Sequence, residues 1–523
     1  MKKRVLSLLL AGAMTCAALT GCGGNDSAGQ ADTGNQQDAG TSAADTQTDS
    51  AEKPDEKPAE QSEEEPVELI WYVGGSGPQA DTEAVLEEAN AYLLEKLNCT
   101  LKIVETDFGS YDQKMQMVIG AGEEFDLCYT ANWSNNFYNN VNKNAFLELN
   151  DLLDQYAPDL VKIMPEAGWG AATVSGNIYA VPNMQIWTMT NCISISKEYV
   201  DKYNFDVSSV KELRDLEPLL EAVKADNPDM YPFAADVGGI LDMMTQAMGY
   251  DELAGRHIPG VVLLDDEELK VVNQFELPQV MEHYQLMYEW SQKGYIRPDA
   301  STITSYLPDV AAGKHVVRVV GNLKPGIEVG EKEIWGGRDV VIVQMSDSWL
   351  PTSGITATMT AVSRSSKHPE KAVEFLNLFN TDKYLYNLIT QGIEGKHYEK
   401  LDGEYIAPIE NSGYAPGADW MYGNQFMAYL KEGQAEDDWE QTTAMNESGK
   451  TSTAFGFVFD PTAVQNEIAS VSAVVEEYEL SLDTGAVDPA VMMPEFLEKL
   501  ERAGSQTIID EIQRQLDEWN ANR

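Results

Sequence analysis

Residues 68–78 read Glu68-Leu69-Ile70-Trp71-Tyr72-Val73-Gly74-Gly75-Ser76-Gly77-Pro78, an unbroken apolar run that stops in glycines. Such a run predicts a buried strand, and the glycines after it a strand-to-helix turn. The pattern repeats outward. Asp81 stands where a helix N-cap belongs, ahead of Val85, Leu86, Ala89, Tyr92, Leu93 and Leu97 on one helical face. Leu101-Lys102-Ile103-Val104 reads as a second strand, Tyr111 to Ile119 as a second helix, and Phe125-Asp126-Leu127-Cys128-Tyr129 as a third strand. Strands alternating with helices define an α/β lobe with a largely parallel sheet. Ligands of such sheets lie beyond the carboxyl ends of the strands. That makes Gly74 to Gly77, including Ser76, and Thr130-Ala131-Asn132-Trp133 candidate cleft loops. The glycine stretch fits neither a phosphate-binding GxxxxGK[ST] nor a dinucleotide GxGxxG. It reads equally as a bare backbone loop offering N–H groups to a ligand oxygen or as a tight turn.

Further along, Asn177-Ile178-Tyr179-Ala180-Val181-Pro182-Asn183 breaks the alternation, and Pro182 interrupts pairing as a crossing between lobes would. Helices are expected around Val210 to Val223 and Val280 to Trp290, and strands at Val316 to Val320 and Val340 to Val343. Ser346-Asp347-Ser348-Trp349-Leu350-Pro351 reads as a second crossing, followed by a strand at Thr358 to Val362 and a helix near Pro369 to Phe379. The C-terminal third is helical: Phe496, Leu497 and Leu500 form one stripe, and Ile508, Ile509, Ile512, Leu516 and Trp519 another. Such stripes face a core.

The N-terminus predicts export. Lys2, Lys3 and Arg4 precede an apolar stretch from Val5 to Leu19, which closes in Leu19-Thr20-Gly21-Cys22. This looks like a bacterial lipobox, with residues 1–21 as signal peptide and the Cys22 thiol as the lipid attachment point. Residues 22–66 carry almost no large apolar side chains and read as a disordered acidic tether. The expectation is a lipid-anchored protein on the extracellular face of the cell membrane, in a Gram-positive-type bacterium. The body, about residues 67–523, exceeds what one hydrophobic core serves, so two lobes follow.

A net charge of −49 repels phosphate backbones, so nucleic acid is excluded as a partner, and a neutral ligand is favoured over a polyanion. Cys99, Cys128 and Cys192 remain in the body without CxxC spacing, leaving room for one disulfide but no disulfide framework. The five histidines show no zinc spacing, and neither a metal nor a cofactor is expected.

Taken in order, several stretches resemble the family 1 extracellular solute-binding proteins of ABC importers, in particular the larger sugar-binding lipoproteins. Asn177 to Asn183 is similar to the YAxP segment of the first crossing, and Ala311-Ala312-Gly313-Lys314 to the GK turn before a second-lobe strand. Met359 to Phe379 resembles the return strand and helix. Gly392 to Tyr398, Gly423 to Phe426, Gly456 to Asp460 and Lys499 to Gly504 resemble segments of the larger subgroup. The resemblance implies a two-lobed periplasmic-binding-protein-like fold of type II, with crossing strands between the lobes and a helical C-terminal region. The first lobe would comprise 67–181 and about 345–395, and the second 182–344 and about 396–523. It also implies a monomer that closes over a small molecule and docks on ABC permease subunits.

A carbohydrate offers a weakly apolar C–H face and a rim of hydroxyls, so its site combines aromatic walls with placed polar groups. Trp133, in Asn132-Trp133-Ser134-Asn135 beyond the third strand, fits best. Trp187 and Asn183 near the first crossing, Trp349 near the second, Asn322 and Lys324 at a strand end, and Trp420, Tyr422 and Asn424 complete the candidates. Trp71, Trp290 and Trp519 sit in apolar contexts and read as core; Trp439, in an acidic run, reads as surface. No nucleophile elbow, zinc motif or Ser-x-x-Lys set supports an exported carbohydrate-active enzyme. A receptor for a peptide or another polar solute is the alternative within the binding class.

Overall fold

A computed structural model describes residues 65–522. The leader, Cys22 and all but the last two residues of the expected tether lie outside them. Strands β1 (Val67–Gly75) and β2 (Cys99–Asp107) pair in parallel over nine residues, from Val67 opposite Cys99 to Gly75 opposite Asp107. Helix α1 (Thr82–Leu97) connects them and buries Val85, Ala89 and Leu93, the expected face. Helix α2 (Phe108–Ala121) leads on to β3 (Leu127–Thr130), which pairs in parallel with β1. The five-stranded sheet is completed by β4 (Ala180–Pro182) and by β8 (Met359–Val362), in the order β2-β1-β3-β8-β4. The return strand β8 runs antiparallel to both β3 and β4, so the sheet is mixed. Burial of Leu69 and of every residue from Trp71 to Gly75 explains the apolar run in β1: Trp71 meets Phe375, Phe379 and Tyr422 edge-on at 5.4–5.7 Å.

The second lobe is built on a three-stranded antiparallel sheet. Strand β5 (Cys192–Ser196) lies between β6 (Val317–Val320) and β7 (Val340–Gln344). Helix Pro278–Gln292 packs Trp290 into this core. The helix expected over 210–223 begins instead at Glu217, with Pro218 in its first turn, where a missing N–H costs nothing. Three C-terminal helices, Gln465–Asp483, Pro489–Ala503 and Ser505–Ala521, form a second core with Val261, Phe275 and Tyr284. Both expected stripes face inward there, Phe496, Leu500, Ile508, Ile512 and Leu516 being wholly buried.

Two features differ from expectation. Tyr414, Ala418, Met421, Tyr422 and Ala428 pack into the first-lobe core, so the chain past residue 395 stays with the first lobe. It reaches the second-lobe core only from Ala454 onward. This gives the hinge a third strand: besides the bridge between Met189 and Trp349, Trp349-Leu350 pairs with Lys450-Thr451. Asp81 occupies the N-cap position of α1 without capping it, because its carboxylate is held by Lys396 at 2.9 Å and His397 at 3.2 Å.

All three described cysteines are buried free thiols, and burial pushes Cys128 up to about 12. No helix among the described residues is long and apolar enough to cross a membrane.

Candidate functional site

The carboxyl ends of β2 and β3 flank that of β1, and each delivers an aromatic side chain to the same place. Asp107 ends β2 and caps α2 by accepting from the Ser110 N–H at 3.1 Å, which sets Phe108 at the first helical position. Beyond β3, the Thr130–Asn135 turn is tied down by Asp112, which accepts from the Ser134 hydroxyl and the Asn135 N–H. That turn presents Trp133, whose Nε1 donates to the Ala357 carbonyl at 2.9 Å. The ring centroids of Phe108 and Trp133 are 5.7 Å apart, and Tyr129 stands edge-on to Trp133 at 6.1 Å. Trp420, from the turn Asp419–Met421, stacks on Phe108 at 5.9 Å with 12° between planes and lies 6.5 Å from Trp133. Trp133 is 46% exposed although its indole N–H is satisfied, so its ring forms an open, oriented apolar platform.

Lys324, just past the end of β6, feels the charge of Asp419, the neighbour of Trp420 in the chain. Burial pushes its ammonium below the usual lysine range, while the Asp419 carboxylate beside Trp420 pulls the other way.

Other candidates have different tasks. The Gly74–Gly77 loop is a turn around the protein's own carboxylate: the Ser76 and Gly77 N–H groups donate to Glu105, whose carboxyl burial nonetheless raises. A Cβ on Gly75 would stand 2.6 Å from Glu105 Oε1, and Gly77 has φ +85°, which together account for the glycines. The Ser76 hydroxyl is exposed and accepts from Gln79. Asn132 is a brace, its Nδ2 donating to the Ser353 carbonyl at 2.9 Å.

Trp187 and Asn183 are buried rather than cleft-facing. The Trp187 Nε1 donates to the Asn183 carbonyl at 2.8 Å and its ring covers Gly168. Tyr422 packs on Trp71, and Asn424, 9% exposed, donates to the Asn380 carbonyl. Trp349 is buried in the hinge with the Lys450 ammonium over its ring at 5.3 Å. Asn322 fastens the second lobe to the crossing, accepting from the Thr190 N–H and donating to the Thr188 carbonyl. Trp439 is half-buried, stacked edge-on against Phe426 with its Nε1 on the Ala428 carbonyl, and so is not a surface residue. The fully buried His397 side chain accepts from the Ile393 N–H at 2.8 Å, a loop brace rather than a reactive group.

Two α/β lobes, three hinge strands and an aromatic platform at the strand ends define a solute-binding protein of the two-lobed type. Comparison with known proteins agrees. A carbohydrate ABC transporter substrate-binding protein of Streptococcus pneumoniae is 29% identical over 474 residues, 89% of this chain and 94% of that protein. The crystal structure of the N-glycan transport solute-binding protein NgtS of the same species superposes with a TM-score of 0.78 at 27% identity, over 87% of this chain and 99% of that one. An extracellular solute-binding protein of Bifidobacterium longum subsp. infantis shares the fold at 14% identity, with a TM-score of 0.61 over 86% of this chain and 98% of that one. A family model described as a domain of unknown function, DUF3502, matches residues 453–521, which include the three C-terminal helices. The chain is thus similar over most of its length, in sequence and in fold, to carbohydrate-binding substrate-binding proteins of ABC transporters.

Proposed function

We propose that this protein captures a neutral oligosaccharide between its lobes and delivers it to the transmembrane subunits of an ABC importer. The observation that carries this reading is Trp133: a large aromatic ring left open at the strand ends, held in orientation, and extended by Phe108 and Trp420. Flat apolar rings joined into a surface match the C–H faces of linked pyranoses. Lys324 and Asp419 supply hydrogen-bonding groups to the hydroxyl rim. NgtS has been solved with Man5GlcNAc and with Man1GlcNAc, which makes mannose- and N-acetylglucosamine-containing glycans the first ligands to try.

The protein works as a monomer without cofactor and without turning its ligand over. It is held on the outer face of the membrane by a lipid on Cys22. An anchor of this kind keeps a receptor beside its permease without a membrane-spanning helix. Two assays on the purified mature chain test the proposal. A thermal-shift screen should show an oligosaccharide raising Tm with concentration, as a ligand specific to the native state must. Incubation with the same sugar should release no new reducing ends. Sustained turnover, or peptides shifting Tm where no sugar does, contradicts it.

A further inference from the structure

Besides the hinge strands, the two lobes touch at a second place. On the first-lobe side, helix Asp438–Ser448 is rooted through Trp439, which packs on that lobe's core and donates from Nε1 to the Ala428 carbonyl at 3.0 Å. Opposite its first residue lies the turn Lys324–Gly326, which leads from β6 into helix Ile327–Ile334. That helix belongs to the second lobe: Glu331 pairs with Arg318 of β6, and Trp335 just beyond it donates to the Ser194 hydroxyl of β5 at 3.0 Å.

The fit between the two segments is close. Gly326, with φ +74°, approaches Asp438 so nearly that a Cβ there would collide with Oδ2 and stand 3.1 Å from Gln434 Nε2. A Cβ on Gly433 would stand 3.5 Å from Val329 Cγ2, so the helix packs directly on that loop. The Asp438 carboxylate is fixed where it lies, accepting from Gln434 Nε2 and from the Ala435 N–H, each at 3.2 Å, in a residue 3% exposed. Charge does not govern this junction. Burial raises the Asp438 carboxyl, its two donors lower it, and Asp437 and Glu328 raise it again. The Lys324 ammonium, pushed down first by burial, is supported by Asp419 and Asp438 and opposed by Lys431. A contact held by shape, with attraction and repulsion both present, is one that can open.

Its position gives it leverage. Helix Asp438–Ser448 has 11 residues and leads at its far end into the hinge strand Lys450-Thr451. At 1.5 Å per residue the helix is an arm of roughly 16 Å between hinge and contact. Asp419, in turn, shares a turn with Trp420, which stacks on Phe108 of the aromatic platform. We propose that Lys324–Val329 of the second lobe and Gly433–Asp438 of the first form a latch that holds the lobes together before ligand arrives and so sets the open–closed balance of the cleft. Its effect on affinity rests on the binding role proposed above: a ligand of the closed arrangement binds more tightly in proportion to the fraction already closed.

The latch is tested without any sugar, by the distance between spin labels on Lys143→Cys of the first lobe and Lys211→Cys of the second, both exposed sites. The protein carries Cys22→Ser, and the three body thiols are buried. Pulsed electron resonance should give one narrow distance distribution. Gly326→Asn, which keeps a residue tolerant of positive φ while driving a side chain into Asp438, should broaden and shift it. Val329→Asp, which sets a charge against Gly433 near Asp438 and Glu328, should do the same. Adding Asp438→Ala to Gly326→Asn should narrow the distribution again, which misfolding would not allow. Distributions that superpose in parent and variants, or a double variant as broad as Gly326→Asn alone, would overturn the proposal. Any sugar that raises the parent's Tm should bind Gly326→Asn at least threefold more weakly; equal affinity would remove the latch from control of the site. Failure to find such a sugar bears on the binding proposal alone, because the label distances are read without ligand.

Discussion

At the scale of single residues, the tryptophans separate by what covers them. Trp133 keeps its ring open while its indole N–H is satisfied by Ala357, whereas Trp187 is 3% exposed and walled by Gly168. Removing the buried ring should cost about 3–5 kcal/mol of stability, the range for large aromatic truncations in a core. Removing the exposed one should cost little. Urea midpoints of Trp187→Ala and Trp133→Ala measure the contrast. Sequence alone offered both as loop tryptophans near strand ends. Trp187 was misread because the groups that fix it lie elsewhere in the chain, Asn446 accepting from its backbone N–H across 259 residues. Phe108 was missed for the opposite reason: an apolar residue at a strand–helix junction reads as core. Asp251 supplies a pH prediction. Burial pushes its carboxyl from 3.8 up to about 6, with the Ser452 hydroxyl pulling the other way. The folded state then holds the proton more tightly than the unfolded chain, so this group's contribution is greatest below 3.8 and falls as pH rises to about 6. Asp251→Asn should unfold at higher urea than the parent at pH 7.5, with the difference closing near pH 4; parallel profiles would contradict this.

At the scale of elements, the first-lobe strands and helices were legible because each carries its own signal, an apolar run or a one-sided stripe bounded by turn residues. The hinge was only half legible. Its first two strands follow from Pro182 and the Trp349 segment, but Lys450-Thr451 is too short and polar to announce itself and exists through its pairing with Trp349-Leu350. Asn446 secures this region, accepting from the Trp187 and Thr188 N–H groups and donating to the Gln185 carbonyl. The short helix Thr352–Ile355 lies so close to the crossing that a Cβ on Gly354 would stand 2.0 Å from the Trp187 carbonyl oxygen. Gly354→Ala should therefore destabilise the protein by about 1–3 kcal/mol, the cost of overpacking a contact that cannot yield. Equilibrium urea denaturation reads it, and an unchanged midpoint would mean that the hinge is softer than its contacts indicate.

At the scale of the whole molecule, three strands join two lobes that each keep a core of their own, an arrangement suited to rotation about the hinge with little loss of packing. Ligand spanning the cleft would favour the closed state by its added contacts there. The lobe boundary near residue 395 was misplaced because residues 396–428 carry no strand pattern long enough to show which core they join; Tyr414 and Met421 reveal it only in three dimensions. The acidic charge favours a neutral ligand over a polyanion, and the proposed recognition rests instead on ring surface with a few polar groups. Calorimetric titration of the mature protein and of Trp133→Ala with mannose- and N-acetylglucosamine-containing oligosaccharides tests this most directly. The account predicts saturable one-to-one binding by the parent and a loss of about 2 kcal/mol, roughly 30-fold in Kd, in the variant. A parent that binds none of these sugars, or a variant that binds them as tightly as the parent, would contradict it.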